Sequence, residues 1–207
     1  MDFEYKGGNA VVISGKQAMV VIDGKLSLLG LKDVVNKDEI EVATQPEFAT
    51  NECRVSIDMP GEYEVSNISV VGIPAARLLD QQGPKSATMY RLAFGDFTVA
   101  VLGHVAMPLS DEQLEQLGVV DILIVPVGGN GYTLDGHLAV EAVHKIDPRV
   151  VIPTHYADDD THYEVPQDDL EPFIKELGAA HEVSAKWKVK NGILPETLTV
   201  MELTRSA

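Results

Sequence analysis

Cysteine is almost missing from the 207-residue sequence, where Cys53 stands alone. One thiol excludes an internal disulfide and any cysteine-rich zinc site, and it suits a reducing compartment. Cys53 is expected to be a small packed strand residue. Positive charge is short as well: 16 Lys and Arg against 32 Asp and Glu leave a formal net charge of −16. Such a chain repels a phosphate backbone unless its basic residues concentrate on one face. The nearest approach to a cluster, Lys186, Lys188 and Lys190 about Trp187, alternates as the solvent face of a strand does, so no nucleic-acid partner is expected. No apolar run reaches the roughly 18 residues of a membrane span. Met1-Asp2-Phe3-Glu4 lacks the basic start and apolar stretch of a signal peptide, so the expectation is a cytoplasmic protein with no membrane partner. A Gly-x-Ser-x-Gly elbow, a Walker loop and a dinucleotide fingerprint are all absent; "GGNGYTLDG" sets its glycines at other offsets.

What is there is an ordinary globular share of apolar residues, 45%, with no linker and no fixed-period repeat, which favours a single domain over 1–207. The first half reads as strands: "AVVIS" (10–14), "AMVVID" (18–23), "CRVSID" (53–58), "ISVVGI" (68–73), "TMYRLAF" (88–94) and "FTVAVLG" (97–103), with a hairpin at Gly95-Asp96. The second half alternates. Residues 110–118 form a helix, with Ser110 and Gln113 as a capping box and Gly118 as the stop. A near-continuous apolar strand follows over 119–129, then a helix over 135–147, the strand "RVVIP" (149–153) and a helix over 167–178. The tail returns to strands at 182–190 and 197–203. A strand-rich meander, strand-helix traffic and strands again predict an α+β fold, two sheets with helices outside them, in a four-layer αββα sandwich.

Several phrases carry a family likeness. "MPGEYEV" (59–65), "GIPAARLLD" (72–80), "LGHVAMPLSDEQLEQLGVVDILIVPVGGNGYTLD" (102–135), "PRVVIPTHY" (148–156) and "LPETLTVMEL" (194–203) resemble, in order, segments of small metallo-β-lactamase-fold hydrolases of the ascorbate-6-phosphate lactonase-like branch. The resemblance implies the same sandwich and one or two metal ions, usually zinc, that activate a water. It also implies ligand positions, and most are lost here. The His-x-His-x-Asp-His slots fall on Thr44, Pro46, Phe48 and Ala49 of "EIEVATQPEFATN" (39–51), and no histidine precedes His104. The family's Gly-Ile-Pro-x-x-His ends in Arg77, and its Leu-Gly-Asp ends in His104. Only Pro-x-His-Tyr survives, as Pro153 to Tyr156 with His155.

Two imidazoles are too few for a zinc site, which takes three or four protein ligands. The expectation is therefore no metal cofactor, and a non-catalytic binding or scaffold protein on a hydrolase fold. Arg77, His104 and His155 would form a positively biased cluster able to hold a small anion. The glycine-rich loop 128–135 makes Tyr132, Thr133 and Asp135 candidates for the pocket wall. The alternative is an atypical hydrolase in which His104 and His155 hold one zinc or other divalent ion and His155 or Asp135 assists the chemistry. His137, Glu141 and His144 share a helix face opposite the apolar stripe and read as surface, "ADDDTHYE" (157–164) reads as a solvated acidic loop, and a homo-oligomer is allowed.

Overall fold

The computed structural model describes residues 1–80, 86–189 and 192–206. Among them, the strands make two mixed sheets. The first takes β1 (Asp2–Gly7), β2 (Ala10–Ser14), β3 (Met19–Ile22), β4 (Ile40–Val42) and β5 (Val55–Ile57) in sequence, with β13 (Trp187–Lys188) returning to the free edge of β1. The second sheet opens as an antiparallel meander of β6 (Gly61–Val65), β7 (Ile68–Ala75), β8 (Ala87–Phe94) and β9 (Phe97–Val101). It continues in parallel through β10 (Ile122–Pro126), β11 (Val150–Thr154), β14 (Thr199–Leu203) and the edge strand β12 (Ala180–Ser184).

The parallel strands explain the long apolar runs, because a strand covered on both faces has no reason to alternate polar with apolar. In β10, Ile122 and Ile124 face the core between the sheets, and Leu123 and Val125 face the helices. Helices α1 (Asp111–Leu117), α2 (Gly136–Ile146) and α3 (Glu171–Leu177) all pack on the eight-stranded sheet, through Leu117, Ala139, Val143 and Phe173 among others. The outer face of the six-stranded sheet carries instead the segment 24–36, with one 3-10 turn at Leu26–Leu29 and with Val34 and Val35 closing beside Val21. The expected sandwich is present, with unequal outer layers. No described helix is long and apolar enough to cross a membrane.

Three local expectations are corrected. The helix over 167–178 begins only at Glu171, since Pro172 fits the first turn and would break an interior. That frees Gln167 for another task. The single strand over 182–190 is two strands that end in different sheets, parted where Ser184 Oγ and Lys186 bond each other; Trp187 turns inward onto Phe3, and Lys186 pairs with Glu4 and Asp2. Lys190 lies outside the described residues. Strands β1 and β6 went unread because Glu, Lys and Tyr interrupt their apolar pattern: β1 fully buries only every second residue, and β6 leaves its two glutamates exposed. The Gly95 hairpin, the Ser110–Gln113 box and the exposed His137 face hold.

Phe173 is wholly buried between α3 and the sheet. Phe173→Ala should cost about 3–5 kcal/mol in urea unfolding, whereas Val183→Thr on the exposed edge of β12 should stay within about 0.5 kcal/mol.

Candidate functional site

The loops that leave the carboxyl ends of β3, β4, β9, β10 and β11 converge on one cavity of about 200 Å³. Its walls include Phe48, His104, Tyr132, His155 and Tyr163, with Leu26 and Leu29 on one side and Asp23, Lys25, Glu47 and Glu164 at its polar edges. His104 and His155 meet edge to face, ring centroids 4.8 Å apart. Tyr132 lies 4.8 Å from His104, Phe48 5.1 Å from it, and Tyr163 4.7 Å from His155.

Two glycines allow this approach. Gly103 turns the chain after β9 with φ +63°, and a β-carbon there would come 2.6 Å from Thr44 Cβ. Gly128 passes against the carbonyl of His155, where no side chain fits. His155 itself has φ +53°, an uncommon conformation for a residue with a β-carbon. Its amide donates to Gly8 O at 2.8 Å, which ties the strained residue to the opposite sheet.

The proton on each imidazole is set by a glutamine. Gln45 is buried between the Thr44 and Pro46 slots; its Oε1 accepts from Arg77 Nη1 at 2.9 Å, so its Nε2 faces His104 Nδ1 at 2.8 Å. An amide nitrogen can only donate, so Nδ1 accepts and the proton of neutral His104 sits on Nε2. That N–H is buried with no hydrogen-bond partner. At His155 the polarity is reversed. Gln167 gives its Nε2 to the carbonyls of Val165 and Pro166, and its Oε1 takes the Nδ1 proton of His155 at 3.0 Å. The lone pair of His155 is therefore on Nε2.

Burial holds both rings neutral. It pushes His104 well below the usual imidazole value, with His155 and Arg77 adding to the effect, and takes His155 down to about 4 against the opposing bond from Gln167. Asp23, at the end of β3, is raised to about 7 by burial although Thr44 donates to it twice, from N and from Oγ1, each at 2.7 Å. The three residues of the expected cluster come together, with burial favouring the neutral form of both imidazoles and Arg77 behind Gln45, 3.6 Å from Glu47.

The other candidates divide. Tyr132 lines the cavity. Thr133 and Asp135 serve the loop instead: Thr133 Oγ1 bonds Gly129 N and Leu134 O, and Asp135 caps α2 through Leu138 N. Of the four slots, Thr44 holds Asp23, Pro46 opens a 3-10 turn, Phe48 packs against His104, and Ala49 is buried. Sequence reasoning missed Asn9, Asp23, Gln45, Tyr163 and Gln167. An acid closing the apolar run "VVID" was the one available signal.

A zinc ion does not fit this donor set. Among the described residues no three His, Cys, Asp or Glu come together as a metal group. His104 presents N–H, not a lone pair, because the group behind it donates where a ligating imidazole needs an acceptor.

Residues 2–155 match the family model described as the beta-lactamase superfamily domain. The chain belongs to that superfamily. A candidate Zn-dependent hydrolase of the metallo-β-lactamase superfamily from Thermotoga maritima has the same fold, with a TM-score of 0.78 at 20% identity over 98% of this chain and 99% of that one. A metallo hydrolase from Ignicoccus hospitalis gives 0.65 at 16% identity, over 97% and 94%. A metal-dependent hydrolase from Carboxydothermus hydrogenoformans is 34% identical over 67 residues, which span 32% of this chain and 29% of that protein.

Acid should expose the buried groups. Because His155 titrates near 4 in the fold against 6.5 ordinarily, its contribution is present above pH 6.5 and is lost as pH falls toward 4, on the order of 3 kcal/mol. Asp23 works the other way: its proton is kept up to about 7, so stability falls as pH rises from about 4 to 7. Urea unfolding from pH 4.5 to 7 should show a weaker loss toward acid in His155→Gln and a steeper gain toward pH 7 in Asp23→Asn.

Proposed function

We propose that this chain is a small-molecule-binding member of the superfamily, which uses the pocket of a hydrolase fold without a metal-activated water. The observation that carries this reading is the donation from Gln45 to His104 Nδ1, locked by Arg77. A ligating imidazole on this face needs its remote nitrogen to donate. Here that nitrogen accepts, and His104, which lines the cavity, keeps its proton on an Nε2 that is buried without a partner. With His104 withdrawn, His155 is left with Asp23, whose carboxylate is already engaged by Thr44. The altered slots at Thr44, Pro46, Phe48, Ala49 and Arg77 add no further imidazole or carboxylate.

Anion capture, the other use suggested by Arg77, has lost its electrostatic basis. Glu47 and Glu164 edge the cavity against Lys25, beside an Asp23 whose carboxyl burial raises to about 7. An uncharged polar ligand suits it better.

Metal content separates binding from hydrolysis. Protein purified without a histidine tag should carry well under one equivalent of zinc, manganese or iron, and calorimetric titration with zinc should show no site that depends on His155. Close to one equivalent, lost in His155→Ala, overturns the reading. Gln45→Glu should move the other way, since a carboxylate accepts the Nδ1 proton and returns a lone pair to His104 Nε2; that variant should take up zinc more tightly than the parent.

A further inference from the structure

The orphaned atoms of the cavity say more about the ligand. His104 Nε2–H is buried without a partner, and a buried donor left unmade costs about 1–3 kcal/mol. Asn9 Nδ2 and Tyr163 Oη, on two further lining residues, are buried without a partner as well. Beside His104, the Nε2 lone pair of His155 asks for a donor. The cavity is also lined by the rings of Phe48, Tyr132 and Tyr163, with Leu26 and Leu29.

Resting on the reading of this cavity as a binding pocket, we propose that its ligand is a planar, uncharged nitrogen heterocycle that presents a carbonyl oxygen to His104 Nε2–H and an adjacent ring N–H to His155 Nε2. Each feature follows from the wall it meets. The carbonyl satisfies the orphaned donor, and the ring N–H satisfies the acceptor on the neighbouring imidazole, whose ring centroid lies 4.8 Å from that of His104. A flat ring suits the aromatic sides, where faces and edges pack favourably. A sugar fits less well, because hydroxyls around its whole rim would press on Phe48, Leu26 and Leu29, which offer no hydrogen bond. An anion meets Glu47 and Glu164, and an organic cation leaves the His104 donor unsatisfied. A volume of about 200 Å³ admits a single six-membered ring with small substituents.

The glutamines then act as positioning residues, because they make one histidine a donor and its neighbour an acceptor. Two histidines free to choose tautomers would recognise the complementary edge in either orientation. Fixed ones recognise it in one.

The test uses the full chain and five probes: 2-pyridone, 1-methyl-2-pyridone, ribose, tetramethylammonium and inorganic phosphate, with binding read by calorimetry and by the imidazole nitrogen shifts. 2-Pyridone should bind saturably and move the His104 Nε2 and His155 Nε2 signals. 1-Methyl-2-pyridone, which keeps the carbonyl and lacks the N–H, should bind at least about tenfold more weakly. His104→Phe should lose 2-pyridone binding; His104→Asn, which keeps a donor on a smaller side chain, guards against a folding defect and should bind more weakly than the parent with an unchanged circular-dichroism spectrum. Preference for ribose, phosphate or tetramethylammonium, equal binding of the two pyridones, or no binding of 2-pyridone overturns the assignment. If 2-pyridone fails while zinc also stays absent, only the ligand class falls; if zinc binds through His155, the reading of the pocket falls with it.

Discussion

Gln45 gives its amide N–H to a buried imidazole, and Arg77 holds the amide that way round. Everything distinctive about the cavity depends on that direction. Exchange the donor for an acceptor and His104 becomes a potential ligand beside His155; keep it and the two rings, centroids 4.8 Å apart, form a donor and an acceptor. Arg77 is half-buried, held by an isolated backbone bridge to Val105 and reaching Gln45 and Glu47, so the choice is enforced by a charged group whose protonation does not vary.

The buried titratable groups of the pocket favour their neutral forms, and its charged residues, Lys25, Glu47 and Glu164, are lining groups beside them. Both imidazoles are buried enough to stay neutral, and Asp23 holds its proton up to about 7. The acidic surface of the chain, at −16, would draw cations from a distance. The interior asks for something else, an uncharged molecule able to give and take a hydrogen bond.

The fold was largely legible because its strands and helices carry strong periodic signals. β10 and β11 are apolar on both faces, and α1 and α2 announce their first turns through Ser110 and Asp135. β1, covered at its outer side only by the two residues of β13, and the edge strand β6 were not, since charged and polar residues break their apolar runs. The two histidines of the site were also legible, from their places after apolar strands. Their partners were not: nothing in the composition separates Gln45 or Gln167 from any surface glutamine, and only tertiary packing brings residue 45 to 104 and 167 to 155. Thr133 and Asp135 misled for the converse reason. A loop that borders a cavity spends its polar side chains on its own turns, and the cap of α2 takes Asp135 out of the pocket.

The direct measurement is the long-range proton–nitrogen correlation spectrum of the imidazoles near neutral pH, which reports the nitrogen that carries each proton. His104 protonated on Nε2 and His155 protonated on Nδ1 is the expected pair. A His104 ring protonated on Nδ1, with its Nε2 lone pair open to the cavity, would contradict it and return the site to metal chemistry.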